Sequence, residues 1–199
     1  DSFKDVRRNG IIAIRLDTGD ELQAALRVQK GQSIILASSE GQSIRFAESD
    51  IREMGRTAGG VRAIKLGKGD AVIGANVVAS EEGTYMLTMG TNGIGKKTEI
   101  TEYKIQKRGG VGVIDLETKE EDFVTTLLTA DTHSDLLFFT NKGKAYQIKM
   151  YDIPEGKRAT KGKSIMNFLS LVSDEQVTSV LAVPKKAKEE KASLMLVTR

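Results

Sequence analysis

Apolar residues in this chain come in short runs with period-two alternation, and glycine-bearing polar turns separate them. The runs "SIILAS", "AVIGANVV", "YMLTMG", "FVTTLLTA", "LLFFTN" and "QVTSVLAV" have the length and β-branched content of strands. "ELQAALRV" and "LMLVTR" read the same way, so strands are predicted there too. Three basic-polar strands, "EGQSIRF", "TNGIGKKT" and "NKGKAYQIK", each follow a glycine turn. Met86, Met89, Phe138 and Phe139 alternate at strand spacing and are predicted core. The one helical candidate, "PKKAKEEKAS" (184–193), is highly charged and is predicted to be a surface loop.

The runs recur in phase. "GIIAIRLDTGDEL" and "GVRAIKLGKGDAV" share Gly, Ala-Ile-basic-Leu and Gly-Asp at fixed offsets, and "GVIDLETKEEDFV" and "GKSIMNFLSLVSDEQV" open two further copies. The copies start at Gly10, Gly60, Gly112 and Gly162, giving steps of 50, 52 and 50 residues. About four strands per 50-residue unit predict an all-β, propeller-like ring of about four blades, in which neighbours cover each other's edges. The fourth unit stops at "LMLVTR", and "DSFKDVRRN" resembles the end of a unit. Residues 1–9 are therefore predicted to complete the last blade, closing residues 1–199 into one domain.

Composition narrows the chemistry. Twenty glycines against two prolines suit tight turns. No cysteine is present for disulfides or thiolate metal sites, which fits a reducing cytoplasm, and no apolar run is long enough to span a membrane. With His133 as the one histidine, zinc sites and a Ser-His-Asp triad have little material. No cofactor, metal or catalytic residue is expected. The net charge of +3 conceals segregation: residues 141–163 carry seven cations and two carboxylates, whereas 113–135 carry one cation and seven carboxylates. A basic face and an acidic face are the expectation.

Each unit ends in a basic glycine segment: "REMGRTAGG", "IQKRGGVG" or "EGKRATKG". Such a loop could hold phosphate with its cations and close-approaching backbone, or could simply turn between strands. Spacing alone leaves both readings open. "GTNGIGKK" (90–97) nearly fits the phosphate-loop pattern, but Lys97 occupies its last position and no helix follows, so a hairpin is predicted. Glu120, Glu121 and Asp122 read as an acidic solvated turn, and His133 as a loop hydrogen-bonder.

Long phrases carry a family resemblance. "GVRAIKLGKGDAVIGANVV", "NGIGKKTEITEYKIQKRGGVG" and "KEEDFVTTLLTADTHSDLLFFTNKGKAYQIKMYDIP" are similar to the C-terminal domain of DNA gyrase A, across essentially the whole chain. The resemblance implies a β-pinwheel, a ring whose blades exchange strands. It also implies a non-catalytic domain that bends and wraps double-stranded DNA on its outer rim, without reading sequence, to support negative supercoiling. "QKRGGVG" resembles the family's signature box QRRGGKG through Gln106, Arg108, Gly109, Gly110 and Gly112. Lys107 keeps the charge of an arginine, while Val111 removes a lysine.

The implied DNA contacts add Lys96 and Lys97, then Lys142, Lys144, Lys149, Lys157, Arg158, Lys161 and Lys163. Arg45, Arg52, Arg56, Arg62, Arg7 and Arg8 follow. The implied partners are DNA, the remainder of gyrase A, and gyrase B, in a bacterial cytoplasm at the nucleoid, with the isolated domain a monomer. The order of the phrases differs from the family's, implying a circularly permuted or otherwise rebuilt ring, or a lineage with reordered blades. The alternatives are a propeller-type protein-interaction module and a topoisomerase IV-like domain with weak wrapping.

Overall fold

The computed structural model describes residues 3, 4, 6, 8–118, 122–172, 174–185, 194 and 195. Three antiparallel sheets follow one plan. The first is built on the hairpin β1 (Ser33–Ser38) and β2 (Gln42–Ala47). β3 (Val72–Val78) joins its first strand, and the later β6 (Val113–Ile114) joins its second, in the order β3-β1-β2-β6. The second hairpin, β4 (Thr84–Gly90) and β5 (Ile94–Glu99), takes β7 (Val124–Asp131) and β10 (Lys163–Ser164) in the same way. The third, β8 (Asp135–Thr140) and β9 (Ala145–Lys149), takes β11 (Val177–Val183).

Each four-stranded blade thus draws on three consecutive repeat units. A hairpin alone leaves two rows of unpaired backbone groups, and strand exchange covers them. The predicted hairpin at 90–97 is the β4–β5 turn, with Met89 opposite Gly95. A 3-10 turn follows the second strand of every hairpin, at Glu48–Asp50, Ile100–Glu102 and Met150–Asp152.

The core lies within and between blades. Ile34, Ile44, Phe46 and Ile64 pack in the first blade, and Ile35, Val78, Met86, Ile100 and Tyr103 between the first and second. Leu87, Met89, Leu136, Phe138, Met150 and Ile165 belong to a larger cluster joining the second and third. The predicted core residues Met86, Met89 and Phe138 are buried, and Phe139 is half-buried. Burying each large side chain stabilises the fold by roughly 1.5–3 kcal/mol.

The predicted strand "ELQAALRV" is not one: residues 11–32 hold no strand, and Leu22 and Leu26 are 58% and 42% exposed. Its counterparts β3, β7 and β11 are each held by a ladder to the hairpin before or beside them. Among the described residues no hairpin precedes 21–28, so the alternating pattern has no earlier edge to bond. The predicted pairing of the two termini involves residues that lie largely outside those described, as do Arg7, Glu120, Glu121 and most of 184–193.

Candidate nucleic-acid interface

The basic glycine segments lie where one unit meets the next, and the two later ones are pinned to the preceding blade. In 106–112, the Gln106 N–H donates to the Arg45 carbonyl (2.8 Å), the Gly109 N–H to that of Ala63 (2.7 Å), and the Lys65 N–H to that of Gly110 (2.8 Å). Gly109 has φ +85° and Gly112 φ +74°. A Cβ on Gly112 would lie 2.4 Å from the Ser43 carbonyl oxygen, so only glycine fits there.

One arginine of each segment turns inward along the chain. Arg108 donates through Nη1 to the Arg62 carbonyl and through Nε to that of Asp50 (3.2 Å). Arg56 donates to the Ile12 carbonyl (2.7 Å) and Arg158 to that of Ile114 (3.5 Å). Ile12, Arg62 and Ile114 each lie two residues past the glycine that opens a unit, and the three arginines each lie four residues before the next such glycine. They are one repeated latch, half-buried, holding the end of each unit to its own start.

Three of the predicted DNA contacts, Arg45, Lys96 and Lys97, are instead buried. Arg45 is 4% exposed: its guanidinium bonds Ser33 Oγ and the carbonyls of Ile100 and Tyr103, and pairs with Glu81 at 2.8 Å. Lys97, its counterpart one blade on, donates to the Tyr151 carbonyl (2.9 Å) and lies 5.1 Å from the Tyr85 ring centre. Each spans to the 3-10 turn of the next blade and donates to carbonyls of that turn and its C-terminal cap. Lys96 is 1% exposed, and its ammonium bonds the carbonyls of Asp115 (2.8 Å) and Lys157 (2.6 Å).

Lys96 belongs to a buried polar network that sequence reasoning missed. Asp115 is fully buried and accepts from Thr88 Oγ1 (2.5 Å) and from the Tyr103 hydroxyl. Burial pushes the Asp115 carboxyl up, outweighing Thr88, Tyr103, Lys96 and Arg158. Burial pushes the Lys96 ammonium down, against the pull of Asp115. The Tyr103 hydroxyl is raised by burial and by the Asp115 carboxylate. A signal did exist: Asp115 interrupts a position that is Ala13 and Ala63 in the two earlier units.

Among the described residues only part of the predicted acidic face is exposed, at Glu117 and Asp131. Asp115, Asp122 and Asp135 are buried, with Asp122 accepting from Thr91 Oγ1 (2.8 Å). Part of the basic stretch is also neutralised: Lys142 pairs with Asp174 (2.7 Å), Lys144 with Glu175 (3.4 Å) and Lys149 with Asp135 (2.5 Å). Burial raises the Glu175 pKa, but hydrogen bonds from Thr140, Tyr146, the Val172 N–H and Lys144 hold it down at about 2. His133 sits in a turn against Tyr151, ring centres 6.3 Å apart. Among the described residues, no cluster of three or more histidines or carboxylates is placed to hold a metal.

The predicted cations that remain exposed and outside these pairs are Lys107, Lys157, Lys161, Lys163, Arg52, Arg62 and Arg8. Lys107 and Lys157 each lie one residue before a latch arginine, at the same place on successive junctions.

Strand-exchanging blades with a basic, glycine-bearing loop at each junction define a propeller-like ring of the pinwheel type. The family described as "DNA gyrase C-terminal domain, beta-propeller" matches residues 1–29, 32–79, 84–131 and 134–184. The chain belongs to that family. DNA gyrase A of Staphylococcus epidermidis is 34% identical over 190 residues, which are 95% of this chain and 20% of that protein. DNA gyrase A of Ureaplasma parvum is 34% identical over 179 residues, 89% of this chain and 21% of that protein. The chain thus spans about a fifth of the length of these relatives. Among solved structures, the C-terminal domain of DNA topoisomerase IV has the same fold, with TM-score 0.81, 22% identity, and coverage of 96% of this chain and 58% of that one. The DNA gyrase A C-terminal domain gives TM-score 0.76 at 24% identity, over 87% of this chain and 58% of that one.

Proposed function

We propose that this chain is a non-catalytic domain that bends and wraps duplex DNA around its outer rim, within the DNA gyrase of a bacterial cytoplasm. Its partners are double-stranded DNA, the remainder of gyrase A, and gyrase B. The observation that carries this reading is the recurrence of Lys107 and Lys157, exposed at equivalent points of successive junction loops whose arginines face inward. Arg52, Arg62 and Arg8 extend the exposed charge to the end of the first unit, the start of the second and the segment before the first. Cations repeated once per blade meet phosphates at regular intervals along a curved path and carry no base code. Bending 20–30 base pairs costs on the order of 1–6 kcal/mol, so contacts on several blades must act together.

The test relaxes closed-circular DNA with the chain bound. Trapped supercoils of a single sign are expected, with affinity falling steeply as salt rises. Salt-insensitive or absent DNA binding would overturn the proposal.

A further inference from the structure

The signature-like loop 106–112 has a structural duplicate one blade on. In 156–162, the Gly156 N–H donates to the Lys97 carbonyl (3.0 Å), as Gln106 does to Arg45. The Ala159 N–H donates to the Asp115 carbonyl (2.8 Å), as Gly109 does to Ala63. The Glu117 N–H donates to the Thr160 carbonyl (3.3 Å), as Lys65 does to Gly110. Ala159 takes φ +53°, the one non-glycine with positive φ among the described residues, and so repeats the turn of Gly109. Gly162 crosses strand β5 as closely as Gly112 crosses β2: a Cβ would lie 2.5 Å from the Gly95 carbonyl oxygen. An alanine held in a glycine's conformation shows that the surrounding contacts impose this loop shape.

The two loops differ in the charge they display. Lys157 matches Lys107, but Lys161 stands where the first loop has Val111, and Lys163 where it has Val113. All three lysines are exposed, and their side chains make no hydrogen bond or ion pair with the described residues.

We infer that residues 156–163 form a second phosphate-holding loop for duplex DNA, in which Lys161 supplies the cation missing at Val111. This inference rests on the DNA-wrapping reading above and deepens it. DNA passing from one blade to the next is gripped by the same loop twice, with Lys157 before the turn and Lys161 after it.

The test measures DNA affinity against salt for four variants of the whole chain. Each lost phosphate contact makes the log–log slope shallower by about 0.9. Lys157→Ala combined with Lys161→Ala should therefore flatten it by about 1.8, and Lys107→Ala by about 0.9. Val111→Lys should steepen it by about 0.9. Lys30→Ala, at an exposed turn outside the junctions, should leave it unchanged. An unchanged slope in the 157/161 variant, beside a loss in the 107 variant, overturns the second loop but leaves DNA wrapping standing. A Lys30 effect as large as that of the 157/161 pair also overturns the loop. No salt-dependent binding by the unaltered chain overturns wrapping itself, and this inference with it.

Discussion

The first and second blades hold their following junctions with opposite chemistry at matching positions. In the first, Leu36 faces Ile44 across the ladder, and Ala63 of the junction packs with them against the Ile34–Phe46–Ile64 cluster. In the second, Thr88 faces Lys96, and the junction residue is Asp115. Three positions change together, from wholly apolar to wholly polar, while the backbone crossings stay the same. Burying a carboxylate and an ammonium carries a desolvation penalty that a small apolar trio avoids. Full satisfaction of the polar set offsets that penalty only when the correct junction meets the correct blade. Blades that look alike outside are therefore distinguished inside.

The comparison breaks most sharply at Asp115. Asp115→Ala leaves the Thr88 and Tyr103 hydroxyls buried without their acceptor, and the Lys96 ammonium buried without the nearby carboxylate charge. It should cost about 3–5 kcal/mol in urea unfolding. A loss no larger than that of an exposed substitution would show that the network is solvated in solution. Converting the second blade to the first blade's set through Thr88→Leu, Lys96→Ile and Asp115→Ala, with Tyr103→Phe to remove the hydroxyl left without its acceptor, should return stability to within about 1 kcal/mol of the native chain or raise it. Additive losses would contradict the equivalence of the two sets.

A smaller effect separates two junction glycines. Gly112→Ala meets both a positive φ and the Ser43 carbonyl and should cost about 3 kcal/mol. Gly60→Ala meets positive φ alone, its nearest contact being Ile14 Cδ1 at 3.9 Å, and should cost about 1 kcal/mol. Equal losses in thermal melts would mean that the close crossing does not matter.

The smallest effect is on pH dependence, and its sign differs between the two buried acids. Glu175 is held down at about 2, so it contributes stability above the ordinary carboxylate pKa that is lost as pH falls from about 4.5 towards 2. Asp115 is raised, so its contribution is present below the ordinary value and is lost as pH rises through the raised one. Glu175→Gln should flatten the acid limb of a stability–pH curve. Asp115→Asn, compared with its own baseline, should flatten the limb above it. A common sign for both would contradict the assigned environments.

Much of this could be read directly. Of the seven apolar runs within the described residues, six became strands where alternation placed them, because a strand's two-residue period is written locally, and "LMLVTR" lies largely outside those residues. "ELQAALRV" has the same pattern without becoming one, since a pattern supplies side chains while a ladder needs a second backbone. The short pairings of β6 with β2 and of β10 with β5 join segments about 70 residues apart and leave no local trace. For the interface, the loops and their repetition were legible, but the orientation of their charges was not. Arg45 and Lys97 sit in basic-polar strands that read as solvent-facing, yet both turn inward to carbonyls of the next blade.

The sequence by itself determined the repeat, the hairpins and the glycines that let each junction cross a strand, because period, turn chemistry and the need for positive φ are properties of a few neighbouring residues. Only the tertiary structure decided which cations are available to a ligand. A lysine faces water or carbonyl oxygens according to what the next blade places beside it, and that neighbour lies more than 50 residues away. Lys96 and Lys157 carry the same charge, but one is enclosed by the junction that the other helps to build.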